Sequence, residues 1–222
     1  MNTKYGSYEQ PGITVDLVIF TVNEDQLKVL LVKRAEAPFS SQWSLPGGFL
    51  LAGESLEAAA RRVLKEKTGV EDVYLEQLYT FGKPDRDPRA RVITVAYFAL
   101  IPWANLDQPE SKKVADLKWS PVDQIPKLAF DHKEIMQTAV QRLRAKVTYS
   151  NIVYGLLPER FRLSELQRMY EIILDDNLDK RNFRKRMLAS GLLQETGKKH
   201  LNGAHRPAML YQFKKMEITF LN

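Results

Sequence analysis

The chain has 222 residues, 44% of them hydrophobic and 27% charged, a composition that fits one large folded domain or two smaller ones and excludes collagen-like, low-complexity and wholly disordered classes. It has no cysteine, which rules out a disulfide framework, a zinc–thiolate site and a cysteine nucleophile. The net charge of +6 is uneven: residues 1–147 hold 20 basic and 19 acidic side chains, residues 148–222 hold 13 and 8, so a near-neutral larger part precedes a compact basic part suited to nucleic acid. No apolar run approaches the roughly 18 residues of a membrane span. Met1 to Pro11 lacks the apolar core of a signal peptide, and a cytoplasmic protein is expected.

In chain order, Ile13 to Phe20 and Leu27 to Lys33 are rich in β-branched and aliphatic residues and predict two strands joined by a polar turn. Leu45-Pro-Gly-Gly48 is a turn signal. Ser55 to Thr68 predicts a helix with Ser55 as N-cap, Glu57 in the first turn and Gly69 at the C′ position. Tyr74 to Phe81, Val92 to Ile101 and Leu117 to Ser120 predict further strands. Asp131 to Val147 predicts an amphipathic helix, with Asp131 and Glu134 as a capping box and Ile135, Ala139, Val140 and Leu143 as its apolar stripe. Strands mixed with two long helices indicate an α/β or α+β layered domain over residues 1–148.

The remainder, residues 149–222, has a different rhythm. Tyr149 to Phe161 reads as a connection. Ser164 to Leu174 predicts a helix capped by Ser164 and Gln167. Lys180 to Ser190 predicts a second helix capped by Asp179 and ended by Gly191. Leu192 to Glu195 and Leu210 to Lys214 predict two short strands around a basic loop, Thr196 to Pro207. This is the order of a winged helix-turn-helix. On the second helix, Phe183, Met187 and Leu188 share the inward side, and Lys180 and Arg184 lie nearer the apolar stripe. Arg181, Asn182 and Lys185 point away with Arg186 on the flank. Arg and Asn can read base edges, and Lys and Arg suit phosphates. Lys198, Lys199, His200, His205 and Arg206 would form a wing on the DNA backbone or minor groove. Double-stranded DNA is favoured over RNA because the arrangement is a helix-turn-helix.

Trp43 to Val70 reads WSLPGGFLLAGESLEAAARRVLKEKTGV. It resembles a Nudix box: Gly48, Glu54, Arg62, Leu64, Glu66, Gly69 and Val70 fall on that family's pattern, preceded by the typical Leu45-Pro46-Gly47. In Nudix hydrolases, carboxylates on this helix bind Mg²⁺. The pattern wants acids where this chain has Val63, Glu66 and Lys67, so two of three are absent. Valine supplies no ligand and lysine repels a cation. With no metal cofactor and no catalytic residues to assign, hydrolysis is expected to be lost or very weak. Candidate ligand contacts are the cations of Gly82 to Arg91, namely Arg86, Arg89 and Arg91 with Lys83, which suit phosphate oxygens. Trp43, Phe81, Tyr97 and Phe130 are candidates to stack on a base, and His132 to donate to a ligand. Asp85 and Asp87 are alternative partners for the arginines, and the aromatics are equally at home in a core.

A degenerate Nudix domain followed by a winged helix resembles one family over nearly the whole chain, the Nudix-related transcriptional regulators of NAD metabolism known as NrtR. The stretches FGKPDRDPRARVITVAYFAL, LAFDH, LLPERFRLSELQRMYE, LDKRNFRKRM and RPAMLYQF carry the resemblance. It implies an α/β (α+β) Nudix sandwich followed by a winged helix-turn-helix domain. It also implies a bacterial homodimer bound to a palindromic operator, repressing NAD synthesis or salvage genes and released by ADP-ribose as effector. Some members keep hydrolase activity and others do not; the damaged box places this chain with the latter. Tyr149 to Phe161 would transmit the change. The alternatives are an active Mg²⁺-dependent Nudix hydrolase of ADP-ribose and an RNA-associated Nudix protein.

Overall fold

The computed structural model describes residues 8–106, 117–200 and 208–220. Strand β1 (Gly12–Asn23) turns into β2 (Gln26–Lys33) through Glu24 and Asp25, both at positive φ, which is the twist a two-residue hairpin loop requires. Two short strands follow that the sequence pattern did not indicate, β3 (Trp43–Ser44) and β4 (Gly47–Phe49). Their shortness denies them a periodicity to read. Helix α1 (Leu56–Thr68) is capped as expected: the Ser55 side chain accepts from the Ala58 amide, and Gly69 closes the helix at φ 72°.

Strands β5 (Tyr74–Phe81), β6 (Val92–Leu100) and β7 (Leu117–Pro121) complete a seven-stranded sheet. Its main order is β3-β2-β1-β6-β5, with β4 on β1 and β7 on β2. The central β1–β6 pair is parallel, from Gly12 opposite Val92 to Phe20 opposite Leu100. Both faces of β1 are buried. Leu17 and Ile19 face α1 with Val63 and Leu64; Val18 and Phe20 face helix α2 (His132–Tyr149) with Ile135, Ala139 and Leu143. A strand covered on both sides must be apolar at consecutive positions, which is why ITVDLVIF shows little alternation.

The expected cap of α2 is corrected. Asp131 makes no side-chain capping bond; its carboxylate is taken by Arg86, and Glu134 pairs with Lys83. An arginine fork is a stronger attraction for a carboxylate than a helix amide. The connection after α2 is no loose tether. Ile152–Leu156 forms a 3-10 turn, and Ile152, Val153, Gly155 and Leu156 are buried. Asn151 bonds the backbone of Glu217 and Thr219 at 2.7–3.0 Å and fastens the last described segment beside α2.

The second unit has β8 (Phe161–Arg162), α3 (Leu163–Leu174), α4 (Lys180–Ala189), β9 (Leu193–His200) and β10 (Ala208–Phe213), with a sheet of order β8-β10-β9. The expected cap of α3 is off by two residues: the N-cap is Arg162, whose amide donates to Glu165 at 2.7 Å. Gln167 instead donates to Glu171 and to the Leu178 carbonyl. Asp179 caps α4 as expected, accepting from the Asn182 amide. The first wing strand runs to His200, further than the sequence pattern suggests: a register shift around Gly197, at φ 70°, takes up the extra residues, and pairing resumes with Lys199 opposite Met209. The 201–207 part of the expected basic loop lies outside the described residues.

One apolar core joins the two units. Leu100, Leu143 and Val147 pack in a single cluster with Val153, Leu156, Leu166, Tyr170 and Phe183. Arg144 donates to the Ile173 carbonyl at 3.0 Å, and Arg168 pairs with Asp25. Gly155 permits the close approach: a Cβ there would lie 2.9 Å from Leu100 Cβ and 3.2 Å from Tyr74 Cβ. We expect Gly155→Ala to cost roughly 1–3 kcal/mol by overpacking, despite alanine's smaller conformational entropy when unfolded. Urea unfolding followed by circular dichroism checks this, and an unchanged midpoint would refute it.

Candidate ligand cleft and nucleic-acid interface

A cleft of about 330 Å³ opens where β1, β2, β4, α1 and the start of α2 meet. Its floor is an ionic cluster. Arg86 is buried and donates to both oxygens of Asp131 at 2.7 and 2.8 Å, and to Asp16 on β1 at 3.3 Å. Burial disfavours the Arg86 charge, but Asp131 and Asp16 outweigh that and raise its pKa. Removing one partner of such a buried pair typically costs about 3–5 kcal/mol, because the other charge is left dehydrated. Gly47 passes so close to this cluster that a Cβ would meet the Asp16 carboxylate and lie 2.8 Å from the Val15 carbonyl.

His132 completes the floor. Its Nδ1 accepts from the Leu45 amide at 2.9 Å, and its Nε2 lies 3.7 Å from Asp16. An accepting Nδ1 puts the proton of the neutral ring on Nε2, towards the carboxylate. Burial lowers the His132 pKa; Asp16 and Asp131 pull the other way but less. His132 thus holds the Leu45-Pro-Gly-Gly turn against β1.

Above the floor, Phe130 at positive φ carries two guanidinium groups, Arg34 at 4.7 Å and Arg89 at 5.8 Å from its centroid. Arg89 is also clamped by Asp87, at 2.7 and 3.0 Å. The Arg34 guanidinium donates to the Pro38 and Glu36 carbonyls; burial, then Arg89, lowers its pKa. Arg86, Arg89, Phe130 and His132 therefore come together as expected. Trp43, Phe81 and Arg91 do not line the cleft, which corrects their expected placement. Trp43 is tied into the β2–β3 pairing, and Lys118 lies over its ring. Phe81 is buried beside Tyr79, and Arg91 donates to the Gly82 and Lys83 carbonyls and to Glu9. Tyr97 is buried on the α1 side. Residue type alone could not separate a rim aromatic from a core one. Asp16, Arg34 and Phe49 were missed. Asp16 had a signal, being the one charge within an apolar strand. Phe49 is half exposed at the rim.

The box helix supplies few oxygens to the cleft. Val63 is 1% exposed and packs beside Gly48, and Lys67 lines the cleft. Glu54 is bound by the Arg62 fork at 2.8 and 2.9 Å and by the Leu51 amide. These two partners, Arg62 first, hold its carboxyl at about 2. Glu66 lies 3.5 Å from the same Arg62. Among the described residues, no group of three or more His, Asp or Glu side chains could hold a metal ion.

In the second unit, α4 docks through Phe183 and Met187, with Phe183 edge-on to Tyr170 at 5.2 Å. Arg181, Asn182, Lys185 and Arg186 are exposed on the opposite side. One expectation is corrected: Leu188 is exposed at 44%, while Lys180 and Arg184, nearer the apolar stripe, are also exposed. Only Phe183 and Met187 of α4 are buried, one turn apart, and Leu188 lies outside that stripe. Among the described residues, no ion pair or side-chain hydrogen bond involves Arg181, Arg184, Lys185 or Arg186, which leaves a basic face uncompensated. Lys198 is exposed on β9. The side chains of Lys199 and His200, together with His205 and Arg206, lie outside the described residues.

The buried His132 has a measurable consequence. Its folded pKa is below the ordinary 6.5, so the unfolded chain takes up the proton first. The stability tied to the neutral ring is present above pH 6.5 and is lost as pH falls, with a slope of at most about 1.4 kcal/mol per pH unit. His132→Asn, whose carbonyl oxygen can replace Nδ1 as acceptor, should flatten this fall between pH 7 and 5.5. Equal pH slopes for both proteins in denaturant titrations would contradict the assignment.

Comparison with known proteins agrees with this geometry. Residues 11–139 match the NUDIX domain family and residues 153–213 the NrtR DNA-binding winged helix domain. The chain is 43% identical over 217 residues to the ADPR responsive transcriptional repressor NtrR of Acinetobacter baylyi, covering 96% of this chain and 86% of that one. Shewanella oneidensis NrtR, solved with a 27mer DNA, superposes with TM-score 0.83 at 42% identity, over 91% of this chain and 93% of the other. The NUDIX domain of the same Shewanella protein, solved with ADP ribose, has TM-score 0.55 at 44% identity over 64% of this chain and 94% of that one. The chain belongs to the NrtR family, with an N-terminal NUDIX α/β domain followed by a winged helix DNA-binding domain.

Proposed function

We propose that this protein is an ADP-ribose-responsive transcriptional repressor of NAD biosynthesis or salvage genes, dividing near residue 148 into an effector-binding and a DNA-binding part. The observation that carries the reading is the pairing, in one body, of a cationic cleft with an uncompensated basic helix α4. The winged helix would set α4 in the major groove, with Arg181, Asn182, Lys185 and Arg186 towards DNA and Lys198, Lys199, His205 and Arg206 on the wing. A homodimer would place two such helices on a palindromic operator, its half-sites near one helical turn apart or a multiple.

ADP-ribose would enter the cleft with its diphosphate towards Arg34 and Arg89. Phe49, half exposed, offers its ring to the adenine. The Nudix box is degenerate for hydrolysis: Val63 and Lys67 bring no oxygen ligand, and Glu54 is already engaged by Arg62. Such a domain binds without turning over, in the cytoplasm where its operator lies.

Helix α2 is the element that meets both ends. His132 at its start lines the cleft, and Arg144 and Val147 near its end contact the winged helix. Its 18 residues span about 27 Å. A ligand that shifts α2 moves the DNA-binding unit with it, and the coupling must be reciprocal, so DNA and ADP-ribose oppose each other.

Fluorescence anisotropy with operator duplex tests the switch: ADP-ribose should weaken binding by tenfold or more without Mg²⁺, and no effect would reject it. AMP release on addition of Mg²⁺ would reject the non-hydrolytic reading. The double variant Arg181→Ala/Lys185→Ala should lose about 1–3 kcal/mol of operator affinity for each base-edge contact removed. Its ADP-ribose titration should match the wild type, and an unchanged operator affinity would remove α4 from the interface.

A further inference from the structure

The side chains at the box positions do not suit a divalent cation. A hard cation takes several oxygen ligands, and the box presents a buried valine and a lysine on α1 and two glutamates, Glu54 before the helix and Glu66 on it, that both pair with Arg62. What occupies the cleft wall in their place is Lys67. It is partly buried in the last turn of α1 and, among the described residues, has no ion-pair or hydrogen-bond partner. The other cations are differently placed. Arg86 is held by Asp131 and Asp16, and Arg89 by Asp87, so much of their charge is neutralised within the protein. Among the described residues Arg34 forms no ion pair with a carboxylate, and Lys33 lies at the exposed rim.

A diphosphate in a partly dehydrated cleft needs positive charge that is not already spent on a neighbouring carboxylate. Lys67 and Arg34 meet that need from opposite sources, α1 and the end of β2. The helix C-terminus favours a cation in the last turn, which explains how Lys67 keeps its place without an acidic partner. A lysine is a compact point charge on a flexible stem and can follow a phosphate that has no fixed fork geometry.

We propose that Lys67 holds the effector's diphosphate in place of a divalent metal, so that ADP-ribose binds this protein without Mg²⁺. The proposal rests on the reading of the cleft as the ADP-ribose site. It goes beyond loss of hydrolysis: the residue that removes a metal ligand also takes over the metal's electrostatic role in binding.

The experiment is calorimetric titration of ADP-ribose into the full chain, in EDTA and in Mg²⁺, for wild type, Lys67→Gln and Lys67→Arg. Wild-type affinity should agree within about twofold in the two buffers. Lys67→Gln should bind at least tenfold more weakly in both, and Lys67→Arg should recover most of the loss. Thermal unfolding of each free variant shows whether the fold persists, and the arginine variant tests the charge even if glutamine perturbs α1. A wild type that requires Mg²⁺, or a Lys67→Gln protein that binds as tightly as wild type, overturns this proposal alone. A wild type that fails to bind ADP-ribose overturns the reading of the cleft and this proposal with it.

Discussion

The buried guanidinium of Arg86 organises this molecule. A charge with so little solvent access is tolerable only with carboxylates close by, and its two partners come from distant parts of the chain: Asp16 on the central strand β1 and Asp131 at the start of α2. Satisfying one cation therefore fixes the loop between β5 and β6, the β1 strand and the start of α2 in one arrangement. His132, next to Asp131, adds the Leu45 turn to that arrangement. The cleft exists because these four segments are held apart and in register.

The consequence extends along α2. Its start is anchored in the cleft floor, its middle packs on the sheet, and its end shares a core with α3 and α4. The buried 3-10 turn at Ile152–Leu156 and the Asn151 contacts leave little slack between the units. Helix α2 and the packed connection that follows it are therefore the segments that join the cleft to the unit carrying the basic helix.

Charge is distributed in two ways within one chain. In the cleft, two of the five lining cations, Arg86 and Arg89, are matched by carboxylates, and the ring of Phe130 supports Arg34 and Arg89. On α4 the exposed cations have no such partners among the described residues. A matched cation shapes a site, while an unmatched one is available to an outside anion. Lys67 belongs to the second kind although it sits on the wall of the first.

Much was legible beforehand because it depends on short-range rules. The cap pair Ser55 and Gly69, the Asp179 cap, the box spacing and the basic outward face of α4 follow from helix periodicity and local hydrogen bonding. The failures share one cause. Asp131, Glu134, Ser164 and Gln167 were assigned local capping roles, but the first two found ion pairs across the fold, while Glu165 proved the capping partner. Trp43, Phe81 and Arg91 carry suitable chemistry but lie away from the cleft, and Leu188, expected on the inward side of α4, is exposed. The sequence by itself determined the element types, their order and the chemistry available on each, because those are set by residues within a few positions of one another. Only the tertiary structure decided which charges are neutralised and which remain free, because a buried charge chooses its partner by distance in space, over separations such as the 70 residues between Asp16 and Arg86.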